Sequence, residues 1–135
     1  MSARMARRIV LVDDSEDDRF LVQRALGKLK QPPDLLVFRD GLAACHYFSS
    51  VSSDDLPSLV ILDVKLPVTS GFEVLEHIRC RPETHSLDVV VMSSSDEPED
   101  IERALRLGAS EYTAKAVSPE EFISSIQALV DAYLS

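Results

Sequence analysis

Basic residues are scarce in this chain: 14 lysines and arginines face 23 acidic side chains, a formal net charge of −9. Beyond Arg8 the cations are nowhere clustered, which excludes the stripe of Lys and Arg that a nucleic-acid backbone demands. Cysteine is nearly absent as well. Cys45 and Cys80 fall in separate predicted helices without ligand spacing, so they are expected as reduced thiols and not as a disulfide or a metal site. Long hydrophobic runs are missing. Residues 9–12 are too few for a signal-peptide core before Asp13 interrupts them, and nothing approaches a membrane-spanning length, so a cytoplasmic protein that touches no membrane is expected. There are no internal repeats and no low-complexity tracts. At 135 residues the chain fits one domain, 1–135, with a short basic start, residues 1–7, expected to be flexible.

What is present is alternation. Apolar runs at residues 8–12, 35–38, 59–62, 89–92 and 110–114 read as short strands, and the continuous runs among them as strands buried on both faces. Between them lie helical patterns. Ser15 is a candidate cap for a helix over 17–30, in which Val22, Ala25, Leu26 and Leu29 share one face. Pro32 and Pro33 stop it, and Asp40-Gly41 leads into a helix over 42–51. Ser70 and Glu73 have capping-box spacing for a helix through Cys80, with Gly71 loosening the turn. Residues 94–100 read as a small-polar loop, Ile101, Ala104 and Leu105 as a helical face, and Gly108 as its C′ residue. Ser118-Pro119-Glu120-Glu121 opens the last helix, with Phe122, Ile126, Leu129, Val130 and Tyr133 on its packed face. Five strands alternating with five helices imply an α/β fold: a parallel sheet covered on both faces and joined by right-handed crossovers.

In such sheets ligands bind at the C-terminal ends of the strands. Asp13 and Asp14 follow the first strand, Asp63 the third, Ser93 the fourth and Lys115 the fifth. Carboxylates about 4 Å apart repel by several kcal/mol at an effective dielectric of about 20, so the cluster requires cations. Lys115 supplies one. A divalent ion that prefers hard oxygens, such as Mg²⁺, supplies the rest, and the site then favours a phosphoryl group. Each residue also has an ordinary reading: the acidic pair as a helix N-terminal charge pair, Lys115 as a solvated loop lysine, Tyr112 as a half-buried sheet tyrosine, and Ser93 as one of three consecutive serines.

The joint arrangement resembles the receiver domain of two-component response regulators over essentially the whole chain. Asp13 and Asp14 match the family's acidic pair, Asp63 in Leu62-Asp63-Val64-Lys65-Leu66-Pro67 its phospho-acceptor, Ser93 its Ser/Thr, Tyr112 its aromatic switch and Lys115 its lysine. The resemblance implies a flavodoxin-like (βα)5 doubly wound sandwich with strand order 2-1-3-4-5. It implies phosphoryl transfer from a sensor histidine kinase onto Asp63 with Mg²⁺ present. Asp14, Asp63 and the Lys65 backbone carbonyl would be direct metal ligands, and Asp13 would act through water. Lys115 and Ser93 would engage the phosphoryl oxygens, and Tyr112 would rotate inward as the loop after the fourth strand moves. The output would be a changed surface over the fourth helix, fifth strand and fifth helix. The protein would be a signalling protein and not an enzyme, limited to self-catalysed phosphotransfer and slow autodephosphorylation.

The long loop 49–57 is similar to that of stand-alone receivers that partner phytochrome-type or hybrid sensor kinases. One departure is Ala116, where the family usually has a proline after a cis bond. Before alanine that bond would cost about 2.5–4 kcal/mol, so a trans peptide and a reshaped loop are expected. Homodimerisation through the same output surface is an expectation resting on Ile123, Val130 and Leu134, which widen the apolar face of the last helix; a wide buried face is the alternative. A phosphorylation-independent interaction module on the same fold is the competing reading. An aspartyl-phosphate phosphatase would want an acid where Lys65 stands, and an FMN phosphate would be repelled by the acidic residues 13–18. His46, His77 and His85 are read as surface or loop histidines.

Overall fold

The computed structural model describes residues 7–134. Its elements alternate as the sequence pattern requires: β1(Arg8–Val12), α1(Glu16–Gly27), β2(Asp34–Phe38), α2(Gly41–Ser50), β3(Leu59–Leu62), α3(Gly71–Cys80), β4(Val89–Ser93), α4(Pro98–Arg106), β5(Glu111–Ala114) and α5(Pro119–Leu134). The five strands pair in parallel in the order β2-β1-β3-β4-β5. This is the doubly wound, flavodoxin-like arrangement. No helix among the described residues is long and apolar enough to cross a membrane. The expectation of a flexible segment 1–7 concerns, for residues 1–6, positions outside the described ones. Arg7 itself donates hydrogen bonds to the carbonyls of Gln31 and Leu134.

Successive strand residues point to opposite faces, and the continuous apolar runs use both. Val10, Val12, Val60, Leu62, Val89 and Val91 pack with α2, α3 and Ala104 of α4. Ile9, Leu11, Leu59, Ile61, Val90 and Met92 pack with α1 and α5. Each fully buried aliphatic side chain contributes roughly 1.5–3 kcal/mol, so β3, buried at all four positions, anchors both layers. Its C-terminal end is therefore rigid.

Several expectations are corrected by local physics. α1 stops at Gly27, about a turn before residue 30, because glycine is a poor helix residue and the Leu29 N–H bonds back to the Leu26 carbonyl. α4 begins at Pro98, inside the stretch read as loop: Pro fits the first helical position, and the first turn, Pro98-Glu99-Asp100, carries no residue of the helix's apolar face by which to read its start. Ile123, Val130 and Leu134 of α5 are all buried in the protomer core, so the wide buried face holds and they offer no spare surface. Gly71 does more than loosen a turn. A Cβ there would lie 2.2 Å from the Asp63 carbonyl oxygen and 2.5 Å from Val64 Cα. Gly108, at φ 105°, does close α4 as its C′ residue. Its carbonyl accepts from Arg79 Nε at 2.9 Å, and Arg79 also donates to the Leu87 carbonyl, lashing α3 to the segments around β4. No peptide bond among the described residues is cis, so the one between Lys115 and Ala116 is trans as expected.

Candidate functional site

The register of the sheet sets the site. Asp13 N–H donates to the Phe38 carbonyl and Asp63 N–H to the Val12 carbonyl, which carries the ladder one residue beyond each strand and holds both aspartates side by side. Both are buried. Each then folds one carboxylate oxygen onto its own loop: Asp13 Oδ1 accepts from Ser15 N–H and Asp63 Oδ1 from Lys65 N–H, both at 2.9 Å. The second oxygen of each stays directed at the cleft, where Lys115 Nζ lies 3.0 Å from Asp13 Oδ2 and 2.9 Å from Asp63 Oδ2. Lys115 reaches in from β5, whose ladder continues through a 2.8 Å bond from its N–H to the Ser93 carbonyl. The trans peptide before Ala116 does not keep the side chain out.

A third acid completes the ammonium's shell. Asp18, in the first turn of α1, accepts from Lys115 Nζ at 2.6 Å. The sequence reading noted it only as part of an acidic run. Its signal was its position three residues after the helix cap Ser15, where an acid ordinarily reaches back to the cap's own N–H. Here that N–H is already bonded to Asp13, and the Asp18 carboxylate turns to the lysine instead.

Burial by itself would depress the Lys115 ammonium, but hydrogen bonds to Asp18 and Asp63 and the charges of Asp13 and Asp63 outweigh it, so the lysine is held above its usual range. Burial pushes the Asp13 carboxyl up, and the Ser15 N–H and Lys115 recover only part of that cost. Three carboxylates thus share one ammonium, and a fourth, Asp14, stands beside two of them. Asp13, Asp14 and Asp63 offer oxygens that all lie within 4.8 Å of one another, and this hard-oxygen set fits a divalent cation. Asp14 is exposed and lines an open cleft of about 650 Å³ with Lys65, Phe72 and Arg103. The Arg103 guanidinium stacks 4.2 Å over the Phe72 ring.

Ser93 is fully buried, and its hydroxyl oxygen accepts from Ser95 N–H at 3.2 Å. Tyr112 is half-buried, and its hydroxyl donates to the Ser95 carbonyl. Ser95 therefore joins the two expected switch residues, a role that sequence spacing did not single out.

The family model described as the response regulator receiver domain matches residues 9–127. The chain belongs to that family. This receiver is 30% identical over 129 residues to the response regulator Rcp1 of Synechocystis sp., covering 93% of this chain and 88% of Rcp1. It is 32% identical to the phosphate regulon transcriptional regulatory protein PhoB of Escherichia coli, where the match covers 93% of this chain and 52% of PhoB. The chain thus spans about half the length of that relative. Among solved structures, the phosphorylated cyanobacterial phytochrome response regulator RcpA superposes with a TM-score of 0.90 at 29% identity, over 97% of this chain and 96% of that one. A structure of Rcp1 in a Mn²⁺-bound form also superposes, with a TM-score of 0.86 at 30% identity, over 96% and 95%.

Proposed function

We propose that this receiver, taken as one unit over residues 1–135, accepts a phosphoryl group on Asp63 from the phosphohistidine of a sensor histidine kinase. The observation that carries the proposal is the placement of Asp63 Oδ2, 2.9 Å from the Lys115 ammonium at the open end of β3. In the step, a carboxylate oxygen of Asp63 forms a bond to phosphorus as the P–N bond to the imidazole breaks, and that bond's electron pair leaves with the imidazole nitrogen. Asp63 is the nucleophile. Lys115 neutralises the phosphoryl oxygens and holds them in line, and Ser93 donates its hydroxyl hydrogen to one of them. Asp13, Asp14, Asp63 and the Lys65 backbone carbonyl would hold a Mg²⁺ ion. When bound, the ion supplies positive charge that offsets the crowded carboxylates and the transferring phosphoryl group.

Signal leaves through the chain's own contacts. A hydroxyl drawn toward Asp63 moves the loop after β4, and Tyr112 and α4 follow because both are bonded to Ser95. The altered α4-β5-α5 surface is the output, in effect a two-state equilibrium biased by one covalent charge. Assembly of two copies through that face rests on exposed Leu105 of α4. The similarity to Rcp1 and to the phytochrome response regulator RcpA favours a phytochrome-type kinase as donor and a cytoplasmic location beside it.

The test is phosphotransfer from a purified, autophosphorylated phytochrome-type histidine kinase in the presence of Mg²⁺. Label should move to this chain and fail to move to Asp63→Asn. Equal labelling of the two would refute the assignment of Asp63.

A further inference from the structure

We propose that Asp18 is a positioning residue that holds back Lys115, occupying the ammonium proton an incoming phosphoryl group needs and so slowing phosphorylation. The inference rests on the reading of Asp63 as phospho-acceptor. A lysine ammonium has three protons and no other hydrogen-bonding capacity. In this structure all three have acceptors: Asp13 Oδ2 at 3.0 Å, Asp63 Oδ2 at 2.9 Å and Asp18 Oδ2 at 2.6 Å. A phosphoryl oxygen can bond to Lys115 only after one of these contacts is given up.

The three partners differ in how easily they leave. The Asp13 and Asp63 side chains are 4% and 8% exposed, and each is pinned through its other oxygen to a backbone N–H of its own loop. Asp63 is moreover the reacting group. The Asp18 side chain is 22% exposed and stands on the first turn of α1, from which it can turn to water. Its contact is thus the exchangeable one. Asp18 is available for this only because Asp13 has taken the N–H of Ser15 that an acid at its helical position ordinarily caps. The Ser15 hydroxyl still caps the helix through the Asp18 backbone N–H at 3.2 Å, so α1 does not depend on the Asp18 carboxylate.

An Asp18→Asn side chain is neutral and holds the lysine more weakly, leaving the third proton for the phosphoryl group. Losing negative charge close to an arriving dianion would also speed the reaction, and Asp17 separates the two effects. It is the exposed neighbour of Asp18 on the same turn, and Asp17→Asn removes the same charge without touching Lys115. Asp18→Glu keeps the charge and the capacity to bond the lysine.

The measurement is the rate of phosphorylation by acetyl phosphate at saturating Mg²⁺, followed by intact-mass spectrometry as a function of phosphodonor concentration, for the full chain and the three variants. We expect Asp18→Asn to be faster than wild type by about tenfold, the change that ~1.4 kcal/mol of lost restraint produces. Asp17→Asn should stay within about twofold of wild type, as expected for a solvated surface charge, and Asp18→Glu should bring the rate back towards wild type. A rate for Asp18→Asn equal to that of Asp17→Asn, or below wild type, would overturn the inference. So would a failure of Asp18→Glu to reverse the gain. If wild type takes up no phosphoryl group, or Asp63→Asn takes it up equally well, it is the reading of Asp63 that fails. A wild type labelled on Asp63 with Asp18→Asn unchanged removes only the role given to Asp18.

Discussion

Ser95 Oγ donates a 2.6 Å hydrogen bond to Asp100 Oδ2, tying the loop after β4 to the first turn of α4. The same residue gives its N–H to Ser93 Oγ and its carbonyl to the Tyr112 hydroxyl. α4 otherwise buries only Ala104, and its cap residue Glu97 makes no side-chain cap bond, so this contact carries an unusual share of the helix's attachment. Ser95→Ala removes this contact together with the weaker 3.4 Å bond that the hydroxyl oxygen accepts from the Glu97 N–H, and leaves the backbone bonds to Ser93 and Tyr112 in place. We expect a stability loss of about 1–2 kcal/mol, as for one hydrogen bond to a charged group. Amide exchange should accelerate at residues 97–101 and stay unchanged in β3. Unaltered exchange at the start of α4 would show that the helix is held by other means.

Gly71 sets the position of Asp63 from behind. Its missing Cβ is what lets α3 start against the Asp63 carbonyl, with the Gly71 N–H bonded to the Val64 carbonyl at 3.0 Å. Gly71→Ala should destabilise the fold by about 1–3 kcal/mol, the usual cost of forcing a methyl into packed space. It should also slow phosphorylation of Asp63, because relief of the clash shifts the loop that carries the nucleophile. Thermal melting and the acetyl phosphate rate check both, and a variant that melts and reacts like wild type would show that the loop yields without cost.

Asp13 gives the site a pH signature. Its carboxyl is raised above the ordinary value of 3.8, chiefly by burial. Below pH 3.8 the group is protonated in folded and unfolded chains alike, and it costs nothing. As pH climbs through the raised folded value the unfolded chain ionises first, so stability is lost, and above that value the whole cost is present. Asp13→Asn is neutral at every pH and keeps an oxygen for the Ser15 N–H. In metal-free buffer it should therefore melt above wild type at pH 7, with the difference closing as pH falls toward 3.8. Mg²⁺ should raise the melting temperature of wild type by binding the folded state, and raise that of Asp13→Asn less. A variant that melts below wild type at pH 7 without metal would mean that the Lys115 contact outweighs burial.

The fold was legible because β1, β3 and β4 are continuous apolar runs of strand length that alternate with helical patterns, as strands covered on both faces of a parallel sheet do, and because turn and cap residues such as Ser15, Asp40, Ser70 and Gly108 punctuate them. Asp13, Asp14, Asp63 and Lys115 were legible because each stands at a strand end, where topology alone brings side chains together. Asp18 was not, since a helix's acidic first turn is ordinary and only the packing of α1 against the strand ends shows which of its carboxylates meets Lys115. Ser95 was hidden for a similar reason: its links to Ser93 and Tyr112 run through a backbone N–H and carbonyl, which every residue has. The extent of α5's buried face was undecided in the sequence because apolar residues beyond one stripe serve a core or an interface equally well.

The central claim is that Asp63 is the group that takes the phosphoryl. The most direct measurement is to incubate the chain with acetyl phosphate and Mg²⁺, trap the product, and map it by mass spectrometry beside Asp63→Asn. We expect one phosphoryl group per chain, located on Asp63 and absent from the variant; a phosphoryl group on another residue of wild type, or one that survives in Asp63→Asn, would contradict it.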